Sequence, residues 1–331
     1  MLNENFSHAL DVCESQLADL SPLWDKVQQL IEASVAPETR RAYGNQLRKF
    51  VTWCNSNCIV SPFPTSPEVL AAYVAHLAEC NASCSTIAQS MAAIATAHRA
   101  EGFASPTESL LVRKVIKGYR REHGTAPRKK DAATLEIIRC LLSAIPQDDL
   151  PKHIRDIAII ALGFAGAFRR SELCALNVEN LKWTFRGNQE ILLVNVSRSK
   201  TDQEGQGMVK AIFPSTDTSI SPTILLKRWL SVSSIISGSL FRSIRKGNHI
   251  TSQRLTPQSV RLIIQDTAKT AGLSLALSAH SLRSGFITTA IRQGKTERSI
   301  MNQTGHKSTQ VLREYFLRED AIEDNAAQDI M

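Results

Sequence analysis

The sequence predicts a mainly α-helical protein in two parts: a wholly helical N-terminal domain, then a larger mixed α/β domain with a small β-hairpin. Three observations carry this prediction. Apolar residues recur at three- and four-residue intervals through most of the 331 positions, the period of helices that bury one face. Segment 124–131 breaks the pattern with Gly124, Pro127 and three consecutive cations, Arg128, Lys129 and Lys130. Segment 191–213 sets two apolar, β-branched runs on either side of a polar loop, the signature of paired strands.

Residues 1–22 mix acidic and apolar positions and end at Ser21-Pro22; they are expected to form an extension, disordered or a single helix. Over 23–123 the pattern is helical. Val69, Leu70, Tyr73, Val74 and Leu77 share a face behind Ser66-Pro67, a serine that caps and a proline that suits the first turn. Further helices are expected over 37–55, 86–101 and 108–122, broken at Pro62-Phe63-Pro64, Asn81-Ala82-Ser83 and 102–106. Gly and Pro stop the last of these, and adjacent cations repel, so 124–131 reads as an extended basic linker. In the second domain, 132–317, Ile191 to Val196 and Met208 to Phe213 read as the hairpin. Thr256-Pro257 opens a helix with Val260, Ile263, Ile264 and Ala268 on one face, and Gly272 closes it. A final helix is expected from about Ser308, followed by a C-terminal segment, 318–331.

A composition of 43% hydrophobic and 21% charged residues is globular, and a net charge of +8 suits a polyanionic partner. Seven scattered cysteines do not form a disulfide framework and fit a reducing compartment. Cys54 with Cys58, and Cys80 with Cys84 after His76, lack the short CxxC turn of a zinc site; they read as small buried apolar residues rather than metal ligands. No apolar run approaches the ~20 residues that span a bilayer, and the start MLNENFSHALDVCESQ is no export leader. A soluble cytoplasmic protein with no membrane partner is expected.

Groups able to do chemistry recur at distant points: Arg169-Arg170-Ser171-Glu172-Leu173, Arg198-Ser199-Lys200-Thr201, His280-Ser281-Leu282-Arg283, Gly305-His306, and Tyr315 nine residues later. Alone, each is ordinary. A tyrosine among Val311, Leu312 and Phe316 is usually core, and an isolated histidine is usually structural. In this order, however, the set resembles the tyrosine site-specific recombinase, or phage integrase, family. The stretches from Gln46 to Cys54 and from Ser85 to Gln89 look like its Cre-like branch, so the likeness spans residues 23 to 320. Ala167-Phe168 stands where Gly-Leu is commoner in that family, and Ala279 precedes the histidine; neither difference removes a chemical group.

The resemblance implies a helical core-binding, SAM-like domain over 23–123 and a tyrosine-recombinase catalytic domain over 132–317. It implies Tyr315 as the nucleophile that opens a DNA phosphodiester, leaving a 3′-phosphotyrosine and a free 5′-hydroxyl. Arg169 and Arg283 would engage the non-bridging oxygens, which planar guanidinium groups meet bidentately. Arg169 is preferred to Arg170 because the family places one residue between the arginine and Ser-Glu. A tyrosine of pKa ~10 needs help at neutral pH, and His280 matches the base. Lys200 matches the hairpin lysine that protonates the leaving oxygen, although Arg198, Lys210 and Lys182 lie nearby and lysines usually solvate a surface. His306 would meet a phosphate oxygen and buttress Tyr315, and Glu172 would orient an active-site side chain. Two arginines, a lysine and two histidines leave no need for a metal or a cofactor.

For the implied partner, double-stranded DNA with a short inverted-repeat site, the candidate contacts are Arg40, Arg41, Ser85, Thr86 and Gln89 in the first domain, and the linker cations Arg128, Lys129 and Lys130. The second domain adds Arg198, Arg242, Arg245, Lys246, Gln258, Ser259 and Arg261. Amides and hydroxyls can read base edges, whereas clustered cations chiefly meet phosphates. The resemblance further implies a homotetramer on two sites, monomeric or weakly associated when free, in which 318–331 docks on a neighbouring copy. Two alternatives remain at this point: a type IB topoisomerase-like enzyme, and a non-catalytic DNA-binding regulator of the same fold.

Overall fold

The computed structural model describes residues 23, 26, 27, 29, 30, 33–124, 130–197, 207–310, 312, 313, 315 and 316. The expected extension 1–22, most of the linker and the segment 318–331 lie outside the described residues. Contacts divide the chain into two compact units, Met1–Arg128 and Lys129–Met331.

The first unit is built on α1 (Pro37–Ser56), α2 (Pro67–Glu79), α3 (Cys84–Ala100) and α4 (Leu110–His123). Its starts are written in the sequence: the hydroxyls of Ser66, Ser83 and Ser109 accept from the amides of Val69, Thr86 and Val112, satisfying donors that a helix leaves free. α1 packs on α3, and α2 on α4. Between them Phe50, Leu70, Tyr73, Val74, Ile87, Ile94 and Val112 form a closed core, each large apolar side chain contributing about 1.5–3 kcal/mol on leaving water. A polar relay lies beside that core. Ser90 Oγ donates to Gln46 Oε1 at 2.8 Å, and Gln46 Nε2 donates to Gln89 Oε1 at 3.0 Å.

The second unit centres on α6 (Pro151–Ala165), whose residues from Ile154 to Gly163 are all buried. A helix apolar on every side must be enclosed, and α5 (Leu135–Ala144), α8 (Pro222–Ser233), α9 (Pro257–Thr270) and α10 (Ala279–Arg292) surround it. Two further helices are short: α7 (Arg170–Ala175) and α11 (Glu297–Thr304). The expected hairpin is present as β2 (Gln189–Val196) and β3 (Met208–Ile212), paired Leu192 to Ile212 and Val194 to Lys210. An additional strand, β1 (Leu181–Arg186), pairs antiparallel with β2. A separate two-stranded sheet, β4 (Arg242–Arg245) with β5 (His249–Arg254), was not anticipated.

The cysteine expectation is corrected in part. Cys54 is buried, but Cys58 and Cys80 are exposed and Cys84 is half-buried. Cys58 lies in the turn beyond α1 at φ 57°, and Cys80 caps the end of α2, so neither side chain continues a buried helical face. Among the described residues, no helix is long and apolar enough to cross a membrane.

Candidate active site

The site begins where α6 ends. Ala167 takes a left-handed φ of 45°, and the chain reverses so that Arg169 becomes the N-cap of α7. Glu172, 3% exposed, holds this arginine twice: its carboxylate accepts from Arg169 N at 3.0 Å and from Arg169 Nη1 at 2.6 Å. One buried carboxylate thus fixes both backbone and guanidinium, while Arg170 is exposed.

Arg283 comes from α10 and is 1% exposed. Its Nη1 donates to Ala167 O at 2.8 Å, and its Nη2 lies 3.2 Å from His306 Nε2. His306 follows Gly305, which ends α11 in the left-handed region at φ 71°. That left-handed turn calls for glycine, and a Cβ there would also press on Met208 Sδ, a flexible side chain, at 2.8 Å. Thr304 Oγ1 spends its proton on Ile300 O at 2.7 Å and lies 2.8 Å from His306 Nδ1. It therefore accepts from Nδ1–H, and Nε2 is the lone-pair nitrogen facing Arg283.

Tyr315 is half-buried in a helical stretch that packs on Ile287, Ala290, Ile291, Ile300 and Leu312, and it lies close enough for its phenolate, when formed, to act on Arg283. His280 is exposed at the start of α10. The structure therefore brings Arg169, Glu172, Arg283, His306 and Tyr315 together from segments scattered over nearly 150 positions, and sets His280 within electrostatic reach of both arginines. Lys200 and Arg198 lie outside the described residues.

The electrostatics are those of an anion site. Burial, then Arg283 and Arg169, pushes the His306 pKa down to about 4; His280 is exposed as a residue, but its ring is partly desolvated by the surrounding protein, and this, with Arg283 and Arg169, holds it below the ordinary imidazole value. Burial and Arg169 lower Arg283 to about 10, with Glu172 and Tyr315 opposing, so it stays charged at neutral pH. Repulsion among cations that face one buried carboxylate is relieved by an arriving phosphate.

From sequence, Lys210 is one of the cations near Lys200, in a setting where a lysine usually solvates a surface. It is 0% exposed, and its Nζ donates to Gly166 O at 2.7 Å, Gln303 O at 2.9 Å and Ala167 O at 3.4 Å. The local signal was misleading, because Val209 on the same strand is 56% exposed.

The candidate DNA contacts are scattered. Arg40 and Arg41 are exposed, with Arg41 paired to Glu38 at 2.6 Å. Ser85 and Thr86 join the Ser83 cap cluster, and Gln89 is exposed with its carbonyl fixed by Gln46. Arg245, Lys246, Gln258 and Lys130 are exposed. Ser259 and Arg261 are half-buried and tied to Thr256 and Gln258. Arg242 is half-buried, and its guanidinium donates to Ser237 O and Ser239 O. Arg128 and Lys129 lie outside the described residues. A further cationic row was missed on α4, where Lys114, Lys117 and Arg121 are exposed, opposite buried Val112 and Tyr119; their i, i+3, i+7 spacing was visible in the sequence.

Comparison with known proteins agrees with this geometry. Residues 134–321 match the phage integrase family, and residues 27–100 match the phage integrase N-terminal SAM-like domain. The chain is 35% identical to an integrase/recombinase XerD homolog of Selenomonas ruminantium, covering 91% of this chain and 87% of that protein. It is 26% identical to the recombinase Cre of Escherichia phage P1, covering 83% and 82%. In fold it is similar to XerH recombinase bound to a palindromic difH substrate, at TM-score 0.63, 17% identity and coverage of 87% and 79%. It is likewise similar to a lambda integrase tetramer bound to a Holliday junction, at TM-score 0.59, 14% identity and coverage of 89% and 76%.

Proposed function

Since this chain belongs to the phage integrase family of tyrosine recombinases, we propose that it is a site-specific DNA recombinase in which Tyr315 is the nucleophile and Arg169, Arg283, His280, His306 and Lys200 form the catalytic set. The observation that supports these roles is the convergence of Arg169, Arg283, His306 and Tyr315 around Glu172. Tyr315 Oη attacks the scissile phosphorus and the bond to the 5′ oxygen breaks, leaving a 3′-phosphotyrosine and a 5′-hydroxyl; the reverse step rejoins the strand. His280, with its depressed pKa, is neutral at pH 7 and accepts the phenolic proton. Arg169 and Arg283 neutralise the non-bridging oxygens.

His306 begins without a free N–H, since Nδ1 donates to Thr304 and Nε2 faces Arg283. A phosphate oxygen that takes over the Arg283 Nη2 proton releases Nε2, and the added negative charge favours its protonation. Lys200, which precedes β3 in the sequence, supplies the proton to the 5′ oxygen. Segment 124–131 joins the DNA-holding unit to the catalytic one, and four copies act on two short inverted-repeat sites.

The test is a nicked duplex whose site has been selected from random-sequence DNA by binding to the full chain. A covalent protein–DNA adduct is expected with wild type, with or without chelator, and none with Tyr315→Phe. An adduct that survives Tyr315→Phe would assign the nucleophile elsewhere.

A further inference from the structure

Lys210 stands at the junction of three segments that carry the proposed catalytic groups. Its own strand, β3, begins eight positions after Lys200 in the sequence. Gly166 and Ala167, which accept from its ammonium, form the turn that delivers Arg169. Gln303, the third acceptor, lies in the last turn of α11, two residues before Gly305. The junction is doubled: Gln303 Nε2 donates to Ala165 O at 2.9 Å and to Ala211 O at 3.0 Å, and Arg283 shares the Ala167 carbonyl. Glu172 Oε2 lies 3.9 Å from Lys210 Nζ, so the carboxylate that fixes Arg169 is also the ammonium's counter-charge.

A second role has to be weighed. Burial, opposed by Glu172 and assisted by Arg283 and Arg169, pushes Lys210 down to about 7, a value well suited to a proton donor. Geometry argues against that use. An ammonium has three N–H groups, and all three point at backbone carbonyls, which leaves none for a leaving oxygen.

We infer that Lys210 is a positioning residue: its buried ammonium locks the Arg169 turn, the strand leading from Lys200 and the end of α11 carrying His306 into one register. The inference rests on the recombinase reading of the site. Removing the ammonium leaves carbonyls of Gly166 and Gln303 without their donor and frees three catalytic segments together. Misplacement on the scale of 1 Å costs about 100-fold in rate.

The experiment compares single-turnover adduct formation at saturating protein on two versions of the selected duplex, one with the natural 5′ oxygen and one with sulfur at the bridging 5′ position. Sulfur leaves without protonation, so it restores a variant that lacks its acid and does not restore one that is misaligned. Lys210→Met is expected to bind DNA within about threefold of wild type and to cleave about 100-fold more slowly on both duplexes. Lys200→Ala should be slow on oxygen and near wild type on sulfur. Restoration of Lys210→Met by sulfur would make Lys210 the acid and overturn the inference; cleavage at the wild-type rate on oxygen would overturn it too. Should Lys210→Met fail to fold, Lys210→Gln, which keeps a neutral donor, is read by the same comparison. If wild type forms no adduct on either duplex, the recombinase reading fails, a result distinct from loss confined to the Lys210 variants.

Discussion

Glu172 sets the charge balance of the site, because a single buried carboxylate faces Arg169 and Lys210 and acts on Arg283. Their uncompensated repulsion is recorded in His306, held at about 4 by burial and by its cationic neighbours. An unfolded histidine titrates near 6.5. Between these values the unfolded chain takes up a proton that the folded chain refuses, so stability is present above about 6.5 and declines as pH falls toward about 4. The lowered His280 adds a contribution of the same sign. His306→Gln is therefore expected to flatten the acid side of a Tm-against-pH curve, and a curve parallel to wild type would contradict it. Residue chemistry of this kind was legible for Arg169, Arg283 and His306 because each belongs to a short ordered motif. Lys210 was not legible: its carbonyl partners lie 43 to 93 positions away, and the usual strand alternation is inverted, with Lys210 buried and Val209 outward.

At the scale of elements, α10 carries His280 and Arg283, and it is seated against the start of α5. Ala133 N donates to Ser281 O at 2.9 Å, and Leu135 N donates to Thr289 Oγ1 at 3.2 Å. That approach requires Gly285, where a Cβ would fall 1.8 Å from Ala133 O. Backbone cannot step aside as a flexible side chain can, so Gly285→Ala is expected to cost about 3 kcal/mol in denaturant unfolding and to slow adduct formation by tilting α10. Gly118→Ala is the control. Gly118 lies within α4 with nothing near the added methyl, and stability should rise by about 0.5–1 kcal/mol. Helices were the readable elements, since serine caps and long apolar periods are local signals. β1 offers burial only in part along its length, and β4 and β5 contain no fully buried position. Such strands exist because a partner strand pairs them, which no window of sequence displays.

For the whole molecule, the net charge of +8 matters through its placement. Arg41 is already paired with Glu38, and Arg242 donates to carbonyls, so neither is expected to dominate attraction to a polyanion. Lys114, Lys117 and Arg121 on α4 are exposed, on the side away from buried Val112 and Tyr119. Each cation that neutralises a DNA phosphate adds about 0.9 to the slope of log affinity against log salt. Replacing all three by glutamine is therefore expected to lower the slope by as much as about 3 units, measured by fluorescence anisotropy with the selected duplex. Arg41→Gln should change it far less. The α4 substitutions lie on a solvated helix face, where stability effects stay within about 0.5 kcal/mol, and far in sequence from the Arg169 to Tyr315 cluster. Adduct formation at saturating protein should thus keep its wild-type rate while binding weakens. An unchanged salt slope would place the DNA on another face of the first unit, and a slowed adduct at saturation would show that α4 does more than hold phosphate.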